Sequence, residues 1–179
     1  MIMHFFECKA LKEIKLPEGL QSIGVGVFYR TGIKQLTIPG SVVKIDVIDK
    51  SIKLSKPSYL KKFKRDSGAI YYEARATIKA SGKKAVTYKA SRITKIKAKT
   101  SKVTIQKGKT TKLQTRVYIS KKLKKGYLDP EILKFTTSNK KVVKVSSKGT
   151  IKGLKKGKAT VTVKLRTTGK TYKVNVKVK

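Results

Sequence analysis

The chain has 179 residues and carries 46 Lys plus Arg against 9 Asp plus Glu, a net charge of +37. One cysteine, Cys8, excludes an intrachain disulfide, and one histidine, His4, leaves a zinc site or a Cys/His nucleophile pair far short of the three or four ligands or partners it needs. The length suits one ordinary domain or two small ones, enough to bury about 70% of the unfolded surface with no metal or disulfide staple. His4 is expected as a frayed terminal residue and Cys8 as a small packed one.

The start, "MIMHFFECKALKEIK", has neither a basic leader nor a long apolar run, so it does not read as a secretory signal. Further along, no stretch of 18 apolar residues is present, and no transmembrane helix or membrane insertion is expected.

Two early stretches, "LKEIKLPEGLQSIG" and "IKQLTIPGSVVKID", share one apolar pattern at a spacing of 22. Phe6 falls on Phe28, Leu11 on Ile33, Ile14 on Leu36 and Leu16 on Ile38. Pro17 then falls on Pro39, Leu20 on Val42 and Ile23 on Ile45. Ile14 and Leu16 alternate with Glu13 and Lys15, as in a short strand with an inner and an outer side, and the proline ends its ladder. Leu20, Ile23 and Phe28 are expected to face inward from the return path, and "GVGVFYRTG" reads as the turn of the coil. A third copy fails at the same spacing, since Phe28 would land on Lys50, Ile33 on Ser55 and Pro39 on Lys61. Two coils alone are marginal, because each buries its apolar side only against a neighbour.

The pattern F-x4-L-x2-I-x-L-P-x2-L-x2-I-G resembles the BspA-like leucine-rich repeat of bacterial surface proteins over residues 5–48. That resemblance implies a short solenoid remnant over 1–48, with Met1 as a start inside a longer ancestral array.

Residues 49–92 form an expected linker or cap. "KPSYLKKFKRDSG" is expected as one short helix after Pro57, ending near Gly68. "AIYYEARATIKASGKKAVTYKAS" reads as two strands joined by a Ser81-Gly82 turn. This hairpin either caps the repeats or extends the sheet that follows.

From Ile93 the pattern becomes short alternating strands. Val103 and Ile105, then Leu113 and Val117, lie either side of a Lys107-Gly108 turn, and a long polar connection follows through "SKKLKKGYLDPEI". Four or five strands are expected from "LKFTTSNKKVVKVSSKGTIKGLKKGKATVTVKLRTTGKTYKVNVKVK", with Gly149, Gly153, Gly157 and Gly169 as turns. Val161 and Val163, then Tyr172, Val174, Val176 and Val178, show the period of two that buries one face and leaves lysines on the other. About seven strands over 93–179 predict a β-sandwich.

The run from Phe135 through Val163, with "TSNKKVVKVSSKGTIKGLKKGKATVTV", is similar to the bacterial immunoglobulin-like group 2 domain of intimin- and invasin-type adhesins. In that family a tryptophan commonly precedes the Ser-Asn turn, and the resemblance gives Phe135 that core role. The predicted fold is mainly β: a leucine-rich solenoid remnant followed by an immunoglobulin-like sandwich.

No catalytic, cofactor-binding or metal-binding residue is expected. Asp129 and Glu131, the only acids after Arg92, sit together around Pro130; a general acid/base pair or a calcium cluster is the sharp reading and a solvated turn the plain one, since hard cations need six or more oxygens. Asp46 and Asp49 read as turn residues. No G-x-G-x-x-G, P-loop, G-x-S-x-G or H-E-x-x-H pattern is present, so no cofactor is implied. Tyr59, Tyr71 and Tyr72 are candidates for stacking on bases or sugars, but they are also natural strand-core residues, and core is the favoured reading.

The basic runs "LKKFKR", "SKKLKKG", "SNKK" and "GLKKGK" are either solvated, aggregation-blocking positions or a polycationic face. Six arginines against 40 lysines make a diffuse field that attracts anionic polymers without reading sequence, so no specific nucleic acid is expected. The two resemblances together imply a non-enzymatic surface protein. It would serve adhesion or wall association at an extracellular or cell-surface location, with wall polymers, glycans or host or bacterial surface proteins as partners. Two alternatives stand beside it: an intracellular polyanion-binding protein, suggested by the charge, and the non-catalytic accessory module of a wall-active enzyme whose catalytic domain lies outside this chain.

Overall fold

The computed structural model describes residues 5–46, 48–79, 84–119, 122–128 and 130–179, without the side chains of residue 79 and of 122–126. His4, the Ser81-Gly82 turn, Asp129 and the side chains of the "SKKLKKG" run lie outside the described residues. The chain divides into two compact units, Met1–Arg75 and Ala76–Lys179. The division falls within the segment expected as a linker, inside one strand. Among the described residues both units are built from β-strands, with two short 3-10 turns, Ala90–Arg92 and Pro130–Ile132, in the second.

The first unit contains β1 (Ser22–Ile23), β2 (Gln35–Thr37), β3 (Lys44–Ile45), β4 (Lys53–Ser55), β5 (Leu60–Lys64) and the start of β6 (Ile70–Lys79). β1 and β3 pair in parallel, with Ser22 on Lys44 and Ile23 on Ile45, which is the offset of 22 carried by the sequence repeat. Phe28, Ile33, Leu36, Ile38, Val42 and Ile45 are all buried, so the matched apolar positions form the core of this unit. Leu16 is buried, Ile14 half-buried, and Glu13 and Lys15 exposed, as the alternation requires. Residues 13–16 form no ladder, however; only their counterpart β2 does.

A third copy is present at a different spacing. β2 pairs in parallel with β4, placing Gln35 on Lys53, Leu36 on Leu54 and Thr37 on Ser55, an offset of 18. The same offset carries Pro39 onto Pro57, Val42 onto Leu60 and Ile45 onto Phe63. The loss of four residues lies between Ile45 and Lys53, which is why a test at 22 misses the copy.

The helix expected after Pro57 is absent; β5 is a strand. It forms a hairpin with β6 that sets Phe63 opposite Tyr71, their rings stacked at 5.4 Å, around a loop closed by Gly68 at φ +80°. The lysines of "LKKFKR" have adequate helix propensity, but sheet pairing and aromatic stacking override it. Glu73 of β6 pairs with Lys44 of β3 on one edge and Lys61 of β5 on the other. β6 therefore occupies the edge of β3 on which the third copy of that strand would stack.

In the second unit, β6 pairs with β7 (Val86–Lys89), as the expected hairpin requires. The strands that follow are β8 (Ile93–Ala98), β9 (Lys102–Ile105), β10 (Thr110–Lys112), β11 (Thr115–Ile119), β12 (Lys122–Leu128), β13 (Leu133–Thr137), β14 (Val143–Val145), β15 (Thr150–Gly153), β16 (Gly157–Leu165) and β17 (Thr171–Val178). One layer has the order β13-β16-β17-β9, with β17 and β9 parallel. In the other, β10 and β11 follow one path broken at Leu113 and Gln114; β10 pairs with β15, which pairs with β14, while β11 pairs with β8 and β12.

Val161, Val163, Leu165, Val174, Val176 and Val178 face inward from the first layer, against Ile96, Val117, Val143 and Ile151 from the second. Each fully buried aliphatic side chain here stabilises the sandwich by roughly 1.5–3 kcal/mol. The polar connection expected over 119–134 instead contains β12, paired with β11 across a bulge at Arg116/Val117. Gly108 (φ +81°) turns the chain from one layer to the other and makes no hairpin. Gly153, expected as a turn, ends β15: a Cβ there would lie 2.9 Å from Val178 and 3.0 Å from the Gln106 carbonyl, so its role is close packing between layers.

Candidate functional site

Period-two alternation places every second residue of β13, β16, β17 and β9 on the outside of the first layer. The exposed positions are Lys134 and Thr136, Lys158 and Lys164, Lys173, Asn175 and Lys177, and Lys102 and Thr104. Registers arrange these in rows across the strands. Lys158 lies opposite Lys177, which neighbours Thr104; Thr160 lies opposite Asn175, which neighbours Lys102. Next come Thr136, Thr162 and Lys173, then Lys134, Lys164 and Thr171. Lysine is thus present in every row, and two rows carry lysines directly opposite one another. Like charges so placed destabilise a sheet unless something neutralises them.

The end of this face near β9 is concave, a trough of about 620 Å³ whose walls include Lys102, Lys158 and Lys177 and whose floor includes Thr104, Thr160 and Asn175. The floor is held in place: Ser138 Oγ accepts from the Thr160 amide at 2.9 Å, and Thr160 Oγ1 donates to Asn175 Oδ1 at 3.4 Å. From Ala76 to Lys179 the sequence has only two acids, Asp129 and Glu131. Neither belongs to these strands. No aromatic side chain points outward from them.

The outer side of the other layer differs. There Lys95, Lys97 and Arg116 accompany Tyr118 and Tyr127, with Lys97 Nζ 5.9 Å from the Tyr118 ring centre and Lys99 Nζ 5.7 Å from that of Tyr127. A second groove, about 530 Å³, is lined by Phe135, Thr137, Val143, Val145 and Leu154. Phe135 points inward but is only half-buried, its ring against Gly149.

The structure describes three of the four acids singled out from sequence, Asp46, Asp49 and Glu131. Glu131 is exposed on the Pro130–Ile132 turn, and its companion Asp129 lies outside the described residues. Asp49 Oδ1 accepts from the Ser51 amide at 2.9 Å and the Ser51 hydroxyl at 2.8 Å, bonds that hold its carboxyl below the usual carboxylate range. Asp46 pairs with Lys44 at 2.7 Å and Arg65 at 3.3 Å. Among the described residues no group of three His, Cys, Asp or Glu side chains is placed to hold a metal ion. Cys8, expected to be packed, is exposed, because it lies in a turn at the edge of the repeats.

Of the three tyrosines, Tyr59 is buried, with its hydroxyl donated to the Gly40 carbonyl. Tyr71 and Tyr72 are half-buried and covered by cations: Arg65 lies 5.3 Å from the Tyr71 ring, and Lys56 Nζ 5.1 Å from the Tyr72 ring. Burial and the neighbouring Lys61 push the Lys56 ammonium below its ordinary value. Sequence reasoning looked for function in the basic runs and missed Lys102, Lys158 and Lys177 as a group. The signal was there in the period of two, which puts all three on one face. Only the strand order shows that they adjoin.

Residues 92–176 match the family model of the bacterial Ig-like domain (group 2), and residues 3–56 match that of the BspA type leucine rich repeat region (6 copies). The chain therefore joins a BspA-type repeat region to a bacterial Ig-like domain, two domain types typical of bacterial surface proteins. Among solved structures it is similar to the crystal structure of domains 4 and 5 of the S-layer protein SbsC, at 20% identity and a TM-score of 0.39. That match covers 59% of this chain and 65% of the other. No curated protein matches the chain.

Proposed function

We propose that this chain is a non-enzymatic part of a bacterial cell-surface protein, serving adhesion or attachment to the wall through its basic outer faces. The observation that carries this reading is the pairing of the two domain types in one chain, each identified from different residues. In this reading the three stacked copies are the end of a leucine-rich solenoid over 1–48 and just beyond. The segment 49–92, with its β5–β6 hairpin, closes them off, and 93–179 presents the sandwich. The partners are wall polymers, glycans or surface proteins of host or bacterium, held without a cofactor. Lysine dominance favours salt-sensitive attraction over base-specific recognition.

The test is location. In the cells that make the protein, an antibody raised against the sandwich is expected to label intact cells. Labelling only after permeabilisation would overturn the proposal and favour an intracellular polyanion-binding role.

A further inference from the structure

We infer that the trough on the outer face of β13-β16-β17-β9 is a docking site for a linear polymer of phosphodiester-linked polyols, with Lys102, Lys158 and Lys177 as its principal contacts. This names the partner of the surface function proposed above and rests on that reading for its setting.

The geometry defines the ligand. Successive outward residues along a strand are about 7 Å apart and neighbouring strands about 4.8 Å apart, so the face offers a cation roughly every 7 Å along the strand direction. Phosphates bridged by a three-carbon polyol are about six bonds apart, and an extended chain of six such bonds also spans about 7 Å. Between the cations stand Thr104, Thr160 and Asn175, hydroxyls and an amide suited to phosphate oxygens and polyol hydroxyls alike.

The chemistry excludes the main competitors. Base stacking needs aromatic platforms, and base-edge recognition favours arginine; this face has neither. A pyranose chain presents apolar ring faces that an aromatic platform would cover, and the outward-facing Tyr118 and Tyr127 lie on the other layer. The opposed pairs Lys158/Lys177 and Lys134/Lys164, with no carboxylate among them, leave a charge repulsion that a bound polyanion relieves.

The experiment measures binding of the full chain to purified poly(glycerol phosphate) as a function of salt. Three chains are compared: the wild type, the trough variant K102Q/K158Q/K177Q, and the control K95Q/K97Q/K152Q, which removes the same charge from the other layer. At about 0.7 counterions per contact, the slope of log K against log salt should fall by about 2 in the trough variant and remain near the wild-type value in the control. Equal losses in the two variants would show a diffuse field and overturn the inference. So would tighter binding of duplex DNA or polygalacturonate through the same three lysines.

Isolated walls separate the inference from the broader reading. Binding to intact walls that is lost when their phosphodiester polymers are stripped supports both. Equal binding to intact and stripped walls overturns the trough assignment and leaves the surface role standing. Trough-dependent binding of the purified polymer in a protein confined to the cell interior would do the reverse.

Discussion

The phenolic oxygen of Tyr172 lies 2.6 Å from the hydroxyl of Thr115, a hydrogen bond that ties the last strand of one layer to β11 in the other. Thr115 is 2% exposed, so its hydroxyl has little access to water. Thr115→Val should cost about 1–3 kcal/mol by leaving a partly buried phenol without its partner. Tyr172→Phe should cost a similar amount for the mirror reason. The double variant should cost less than the two singles together, because both polar groups are then gone. Urea midpoints at unchanged slope measure this; strict additivity would mean that the bond contributes nothing.

The same phenol sets an alkaline limit. Burial pushes the Tyr172 pKa up, and its bond to Thr115 offsets only part of the rise. The folded pKa therefore lies above the unfolded value of about 10, so its contribution is complete below about pH 10 and is lost as pH climbs through the folded value. The difference in stability between the wild type and Tyr172→Phe should be flat from about pH 7 to about pH 9 and shift against the wild type above about pH 10. Lysine deprotonation is common to both chains and cancels. An unchanging difference across that range would refute the assignment.

Gly149 is required twice over. Its φ of +77° is left-handed, and a Cβ there would lie 2.8 and 3.0 Å from atoms of the Phe135 ring. Gly149→Ala should cost about 2–4 kcal/mol, combining backbone strain with overpacking. Gly108 has a similar φ of +81° with open space around it, so Gly108→Ala should show the strain alone, about 1–2 kcal/mol. Replacing Phe135 by Leu in the Gly149→Ala background should recover the packing part of the loss. Equal costs at the two glycines would rule out a role for the ring.

The net charge of +37 makes the fold self-repelling at low ionic strength. Thermal stability should rise as salt increases to about 0.15 M, where the screening length is about 8 Å. Lys177→Thr removes one member of an opposed pair and should raise the melting temperature at low salt, with the gain fading as salt is added. A melting temperature independent of salt would contradict both expectations.

Much of the fold was legible because apolar spacing reports which side of a strand is buried. Val161, Val163, Val174, Val176 and Val178 follow that rule, as do Phe28, Ile33, Leu36 and Ile45 in the repeats. Three features escaped it. The third repeat copy lies four residues off register, so Leu54 and Pro57 looked unrelated to Leu36 and Pro39. β5 is rich in lysine and becomes a strand through Phe63, Tyr71 and the hairpin they share, a contact that local propensity does not encode. The long connection after Ile119 conceals β12 because Lys122, Lys124, Lys125 and Gly126 leave Leu123 as the one apolar residue of the strand before Tyr127 and Leu128. The trough was hidden for a different reason: Lys102 and Lys177 are far apart in sequence and adjoin only because β9 runs parallel to β17.

That parallel pairing also governs how the sandwich bears tension. β9 lies near the start of the sandwich and β17 at its end, and they are bonded side by side with Val176 against Val103 and Val178 against Ile105. A pull applied at Lys102 and at Lys179 draws the two strands past one another along their length. Their hydrogen bonds then bear the load together in shear, where an antiparallel hairpin pulled at its open end would unzip one bond at a time. In the surface role proposed above, the arrangement of these two strands would turn attachment into resistance to force.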